Sequence, residues 1–205
     1  MFVTLEGIDR SGKSTQARML ADALGPEALL LREPGGTPMG ERVRELLKDP
    51  GLELDPRAEL LLFCAARAEL CASVIAPALE SGRDVVCDRF TDSTVAYQGV
   101  ARGLGLELVE GLNAVAVGKR LPDLTVLLRL DPGDAEARGQ LRLAAGDPDG
   151  ADRFEAEGID FQRAVAAAYE ELAARHRDRI VVIAADGAPE EIHSRVLAAV
   201  RERRP

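Results

Sequence analysis

FVTLEGIDRSGKSTQ, residues 2–16, decides how the rest of the chain is read. A β-branched and aliphatic run, FVTLEGI, reads as a buried strand ending at a glycine. From Ser14 the pattern KSTQARMLADAL reads as a helix, closed by Gly25 and Pro26. Between strand and helix, Gly7, Gly12, Lys13 and Ser14 keep the Gly-x-x-x-x-Gly-Lys-Ser spacing of a phosphate-binding P-loop. Glycines let backbone N–H groups close around phosphate oxygens, and the helix N-terminus adds favourable potential. The loop Gly7, Ile8, Asp9, Arg10, Ser11, Gly12, Lys13, Ser14 and Thr15 is thus the expected nucleotide cradle. Lys13 is expected at the β- and γ-phosphates and the Ser14 hydroxyl on Mg²⁺.

The 205 residues suit one domain, 1–205, with a core of its own. Apolar residues make up 46% and aromatics 3%, so that core is aliphatic. No stretch offers the ~20 uninterrupted apolar residues of a membrane helix, and MFVTLEG lacks a basic leader pattern. A cytoplasmic protein with no membrane partner is expected. Cys64, Cys71 and Cys87 lie in apolar runs without paired spacing and read as reduced core thiols. With only His176 and His193 to draw on, a zinc site is not expected. The net charge of −9 argues against a nucleic-acid partner but allows a small anion where positive charge is concentrated.

Downstream, ALLLREP, DVVCDRF, DLTVLLRLD and RIVVIAA read as four further strands. Helices are expected at GERVRELLK, along residues 57–81 with a bend at Pro77, and around STVAYQGVA, ELVEGLNAVAVG, DFQRAVAAAYEELAARH and PEEIHSRVLAAVRER. RGQLRLAAGDPDGADRFE lacks apolar periodicity and reads as a mobile lid, about 133–158. Alternating strands and helices imply an α/β, three-layer P-loop NTPase fold: a five-stranded parallel sheet with helices on both faces. Ligands in such sheets sit beyond the carboxyl ends of the strands.

Strand ends therefore hold the candidates. Asp88 closes the third strand, where a carboxylate organises Mg²⁺ in P-loop proteins, or caps the next helix. Arg32 and Arg89 end the second and third strands, and Arg67 lies on the long apolar helix. Two such guanidinium groups can clamp an acceptor phosphate; the alternative for each is an ordinary ion pair. The Asn-Lys-x-Asp guanine reader and Asp-x-x-Gly switch of regulatory GTPases are absent from the sequence. A second anion site and a lid are what a phosphotransferase needs.

GIDRSGKSTQ, REPGGTPMGE, LLFCAARAE, DRFTDSTVAYQG and DRFE, in this order and spacing, resemble thymidylate kinase up to about residue 155. The resemblance implies transfer of the γ-phosphate of ATP to dTMP, with Mg²⁺, in a homodimer. It implies Phe63 stacked on the thymine ring and Arg67 on the base edge, although Phe63 alone equally suits core packing. It implies Ser93 and Thr94 near the base, and Tyr97 and Gln98 against sugar and base, the Tyr97 ring crowding a ribose 2′-OH. Asp9 would meet the sugar 3′-OH and acceptor phosphate, and Arg32 and Arg89 would hold that phosphate. Members of the family carry the catalytic arginine either in the P-loop or on the lid. Arg10 places this chain with the first design, acting with Lys13, Asp9 and Arg89. The lid arginines Arg138, Arg142 and Arg153 leave a shared role open. Another nucleoside monophosphate or deoxynucleoside kinase of the same architecture is the alternative, and a P-loop switch a further one.

Overall fold

The computed structural model describes residues 1–144, 153–154 and 157–204, apart from the side chains of residues 142 and 143. Strands β1 (Phe2–Glu6), β2 (Leu29–Arg32), β3 (Val85–Asp88), β4 (Leu124–Arg129) and β5 (Ile180–Ala184) pair in parallel in the order β2-β3-β1-β4-β5. β1 is buried along its whole length, as an aliphatic run covered on both faces must be. The helices are α1 (Lys13–Leu24), α2 (Pro38–Lys48), α3 (Pro56–Leu70), α4 (Ala76–Glu80), α5 (Thr91–Thr94), α6 (Leu106–Val117), α7 (Pro132–Ala144), α8 (Ile159–Arg175) and α9 (Pro189–Arg203). Ala17 and Leu20 of α1 and Val196 and Val200 of α9 join the larger core cluster. Leu70 of α3, Ala78 of α4 and Val117 of α6 pack with Phe2 and Phe90 in another. The five-stranded α/β sandwich expected from the sequence is the one observed.

Register decides where the strand tips fall. Asp88 stands opposite Leu5 of β1 and opposite Arg32 of β2. The next residues continue the ladder: Arg89 N–H donates to the Leu5 carbonyl at 3.0 Å and Glu33 N–H to the Asp88 carbonyl at 2.9 Å. The P-loop, Arg89 and the Glu33 turn therefore emerge side by side, where the order of the strands reverses around β1.

Two helical stretches depart from α geometry. α3 widens into a π turn over Cys71–Ile75 before α4, and the Ala76 N–H bonds the Cys71 carbonyl five residues back. Pro77 follows at once. It has no N–H to donate and its ring crowds the preceding turn, so the bend expected there takes the form of a π turn. A second π segment, Val95–Ala101, follows α5 and turns both Tyr97 and Gln98 inward. By length and mean hydropathy (1.7) Pro56–Glu80 would also suffice to cross a bilayer. Here Leu60, Leu70 and Ile75 are core residues, and its Glu59 and Arg67 are buried in ion pairs.

The first part of the stretch expected as a lid, for which no helix was expected, belongs to the helix α7 (Pro132–Ala144). Its Ala, Arg, Gln and Leu residues are good helix formers even without an apolar stripe. The Gly- and Asp-rich tip falls outside the described residues. All three cysteines are free and buried, as expected of core thiols.

Leu5, 0% exposed, fills the centre of β1 between β3 and β4. Leu5→Ala is expected to cost about 2–5 kcal/mol in denaturant unfolding, with the fold retained. A cost under about 1 kcal/mol would contradict this packing.

Candidate active site

The strand tips open onto a cavity of about 1120 Å³. One end is the P-loop. Gly7 takes φ 141°, and a Cβ on it would stand 2.5 Å from the Leu128 carbonyl oxygen of β4, so only glycine lets the chain leave β1 here. Lys13 is buried in the cavity wall, and its Nζ donates to the Ile8 carbonyl at 2.7 Å and Ser11 Oγ at 3.4 Å. Burial, assisted by the Arg89 charge, pulls its pKa down to about 8. A lysine so desolvated gains strongly from an anion brought alongside it.

Ser14 Oγ and Asp88 Oδ2 lie 2.5 Å apart at the start of α1, while Asp88 Oδ1 is buried without a partner. A hydroxyl and an unpartnered carboxylate oxygen side by side fit Mg²⁺, which takes few protein oxygens and completes its shell with phosphate and water. Among the described residues no trio of His, Cys, Asp and Glu side chains forms a competing metal cluster.

The other end is built around Arg89. Its guanidinium pairs with Asp9 and donates to Ser93 Oγ (3.1 Å), the Gly7 carbonyl (3.3 Å) and the Tyr97 hydroxyl (3.3 Å), with the Tyr97 ring 5.0 Å away. Asp9 also accepts from Tyr97 OH at 3.0 Å and Gln162 Nε2 at 3.1 Å. Burial pushes the Asp9 carboxyl up, but Arg89, Lys13 and these two donors outweigh it and hold it below its usual range. Arg32, half-exposed, reaches the same cavity and pairs with Glu41 at 3.0 Å. Among the described residues, Arg10 and Arg89 are also the non-glycine residues with left-handed backbone, at φ 64° and 70°. Such conformations cost on the order of 1–3 kcal/mol and persist where the surroundings fix them.

Arg67 is more occupied than a base-reading residue needs to be. Its Nε donates to Glu33 at 2.8 Å, Nη1 to Asn113 Oδ1 at 2.7 Å and Nη2 to the Phe90 carbonyl at 3.1 Å, while Nη2 also pairs with Glu33 at 2.5 Å. Of five N–H groups these contacts engage four, leaving one on Nη1 for the cavity. Phe63, half-buried, meets Phe154 at 5.9 Å between ring centres, and Phe154 meets Tyr97 at 6.4 Å. Thr94 Oγ1 is buried without a partner, and Gln98 donates to Glu59 at 2.7 Å.

Most of the expected residues thus meet in one cavity, which Asp9, Gly12, Thr15, Ser93, Thr94 and Gln98 also line. Gly7, Ile8 and Ser11 are not among its lining residues; Gly7 and Ile8 instead face a second cavity bordered by β4 and α8. The lid arginines divide. Arg138 lines the cavity, donating to the Arg10 carbonyl (3.3 Å) and the Ala185 carbonyl (2.7 Å). Arg153 turns instead to the Leu47 carbonyl (3.1 Å) and to the buried Glu59 (2.6 Å), which Arg102 also approaches at 3.4 Å. The Arg142 side chain lies outside the described residues. Sequence reasoning missed Glu6, Glu33, Glu59, Asn113 and Gln162, all polar partners whose burial leaves no mark in the sequence. Glu6, at the tip of β1, accepts from Phe90 N–H (2.7 Å), Ser93 Oγ (2.6 Å) and Tyr169 OH (2.9 Å), and burial raises its pKa to about 7.

A family model described as thymidylate kinase matches residues 5–196. The chain belongs to the thymidylate kinase family. Curated thymidylate kinases are similar over nearly the whole length of both chains. That of Desulfosudis oleivorans is 47% identical, covering 100% of this chain and 98% of its own; that of Solidesulfovibrio magneticus is 48% identical, covering 98% of each. The crystal structure of thymidylate kinase from Ehrlichia chaffeensis superposes with a TM-score of 0.79 at 32% identity, covering 98% of each chain. The P-loop NTPase fold and the resemblance read from the motifs are thereby established.

Removing Arg67 would leave Glu33 charged and unpaired inside the protein. Arg67→Met is expected to cost about 3–5 kcal/mol in unfolding experiments. Near-neutral stability would show that the Glu33 pair is not structural.

Proposed function

We propose that the protein transfers the γ-phosphate of ATP to dTMP, giving ADP and dTDP, the reaction after which its family and relatives are named. One observation carries this reading. A single cavity has a P-loop at one end and, at the other, Arg89 and Arg32 beside an aromatic shelf, so two phosphate-bearing ligands fit face to face.

In this reading the P-loop N–H groups and Lys13 hold the ATP phosphates, and Ser14 and Asp88 hold Mg²⁺. Bound there, Mg²⁺ supplies positive charge that neutralises the phosphate oxygens. Phe63 carries the thymine ring, the remaining Arg67 N–H and the Thr94 hydroxyl meet its polar edge, and Tyr97 closes the space beside the sugar C2′. Arg89 and Arg32 grip the dTMP phosphate, while Asp9 fixes the Arg89 guanidinium and faces the sugar 3′-OH. An oxygen of that phosphate attacks the γ-phosphorus in line, and the bond from the γ-phosphorus to the bridging oxygen of ADP breaks. The nucleophile is already anionic, so no general base is needed. Arg10 spans donor and acceptor and takes up charge in the transition state, as an arginine finger does. Arg138 supports it from the lid.

The chain acts as one domain, 1–205, whose lid, about 133–158, closes to keep water from the γ-phosphate. It works in the cytoplasm as a homodimer, with no nucleic-acid or membrane partner.

ADP release measured with a panel of nucleoside monophosphates, deoxynucleosides and no acceptor tests the reading. Strong stimulation by dTMP above every other acceptor is expected. Preference for another monophosphate or a nucleoside, or acceptor-independent hydrolysis, would overturn it.

A further inference from the structure

Gly139 sits inside α7, far from either helix end, where glycine weakens a helix relative to alanine. It makes no turn and needs no left-handed backbone, since its φ is not among the positive ones. What requires it is a close approach. A Cβ built on Gly139 would stand 2.6 Å from Arg10 Nε and closer still to Arg10 Cζ and Nη1. The Arg10 guanidinium therefore lies flat on the bare α7 backbone at this position. The neighbouring residue completes the contact, because Arg138 donates to the Arg10 carbonyl and to the Ala185 carbonyl beyond β5. Two consecutive lid residues thus grip one P-loop residue, one taking its side chain and the other its main chain.

We propose that Gly139 is a positioning residue for the phosphoryl transfer: its missing side chain forms the seat that aims the Arg10 guanidinium, so that docking of α7 and placement of the finger are one event. This rests on the reading of Arg10 as a transition-state contact. Arg10 itself holds a left-handed backbone, at φ 64°, a conformation that persists only where the surroundings fix it. The physical consequence is a separation of stability from catalysis. An alanine methyl here meets only the far end of a flexible side chain, which swings aside and leaves the fold intact. Helix propensity meanwhile improves.

The test is a double-mutant cycle on Arg10→Ala and Gly139→Ala, reading kcat, KM for dTMP and melting temperature. Expected for Gly139→Ala are a kcat lower by about 10–10²-fold, the scale of a group misplaced by about 1 Å, a KM for dTMP within about two-fold, and a melting temperature equal or higher. In the Arg10→Ala background the second substitution should cost almost nothing more. Wild-type kcat in Gly139→Ala, losses that multiply in the double variant, or a kcat loss accompanied by a lowered melting temperature would each overturn the inference. Full kcat in Arg10→Ala would overturn the finger reading and this one together. A damaged Arg10→Ala beside an unaffected Gly139→Ala would overturn this one alone.

Discussion

The guanidinium–carboxylate contact between Arg89 and Asp9 joins the tip of β3 to the loop that leaves β1, and the geometry of the cavity depends on it. Both side chains are about four-fifths buried, where an unpaired charge costs several kcal/mol. Neither can turn away alone. Tyr97 and Gln162 donate to the same carboxylate from a π segment and from α8, so four elements converge on one point. With its charge balanced by Asp9 and its two Nη groups donating to Asp9, Tyr97, Ser93 and the Gly7 carbonyl, Arg89 keeps its Nε–H for a phosphate oxygen. The left-handed backbones of Arg10 and Arg89 flank this contact.

Around that contact the chain reconciles two demands. Its net charge is −9, yet Arg10, Arg32, Arg67, Arg89, Arg138 and Lys13 all line one cavity. Carboxylates hold this positive charge in place, Glu33 behind Arg67, Glu41 beside Arg32 and Asp9 under Arg89. A cavity balanced in this way stays folded without phosphate and favours it when it arrives. Arg153 shows the same rule from the other side. The buried Glu59 of α3 holds its guanidinium at 2.6 Å.

Much of this was legible in the sequence because it is carried by spacing. The P-loop is a fixed pattern, and strands covered on both faces leave aliphatic runs such as DVVCD and DLTVLL that announce a parallel sheet. The candidate residues of DRFTDSTVAYQG do meet in the cavity, since they follow one strand tip in sequence. What was not legible depends on distant partners. Arg67 reads alike as a base contact or as half of a buried pair, because Glu33 lies on another element. α7 was misread because a helix with few apolar residues has no stripe to announce it. Gly139 gives no signal in the sequence, since its reason is the side chain of a residue 129 positions earlier.

The central claim is that Arg89 recognises the acceptor through its phosphate. Titration calorimetry of dTMP and of thymidine, on the natural protein and on Arg89→Met, measures this directly as the preference for the phosphorylated ligand. The account predicts that the preference falls by about 10²-fold or more in the variant, the scale of truncating one partner of a buried charge pair. A preference for dTMP over thymidine that survives the substitution undiminished would contradict it.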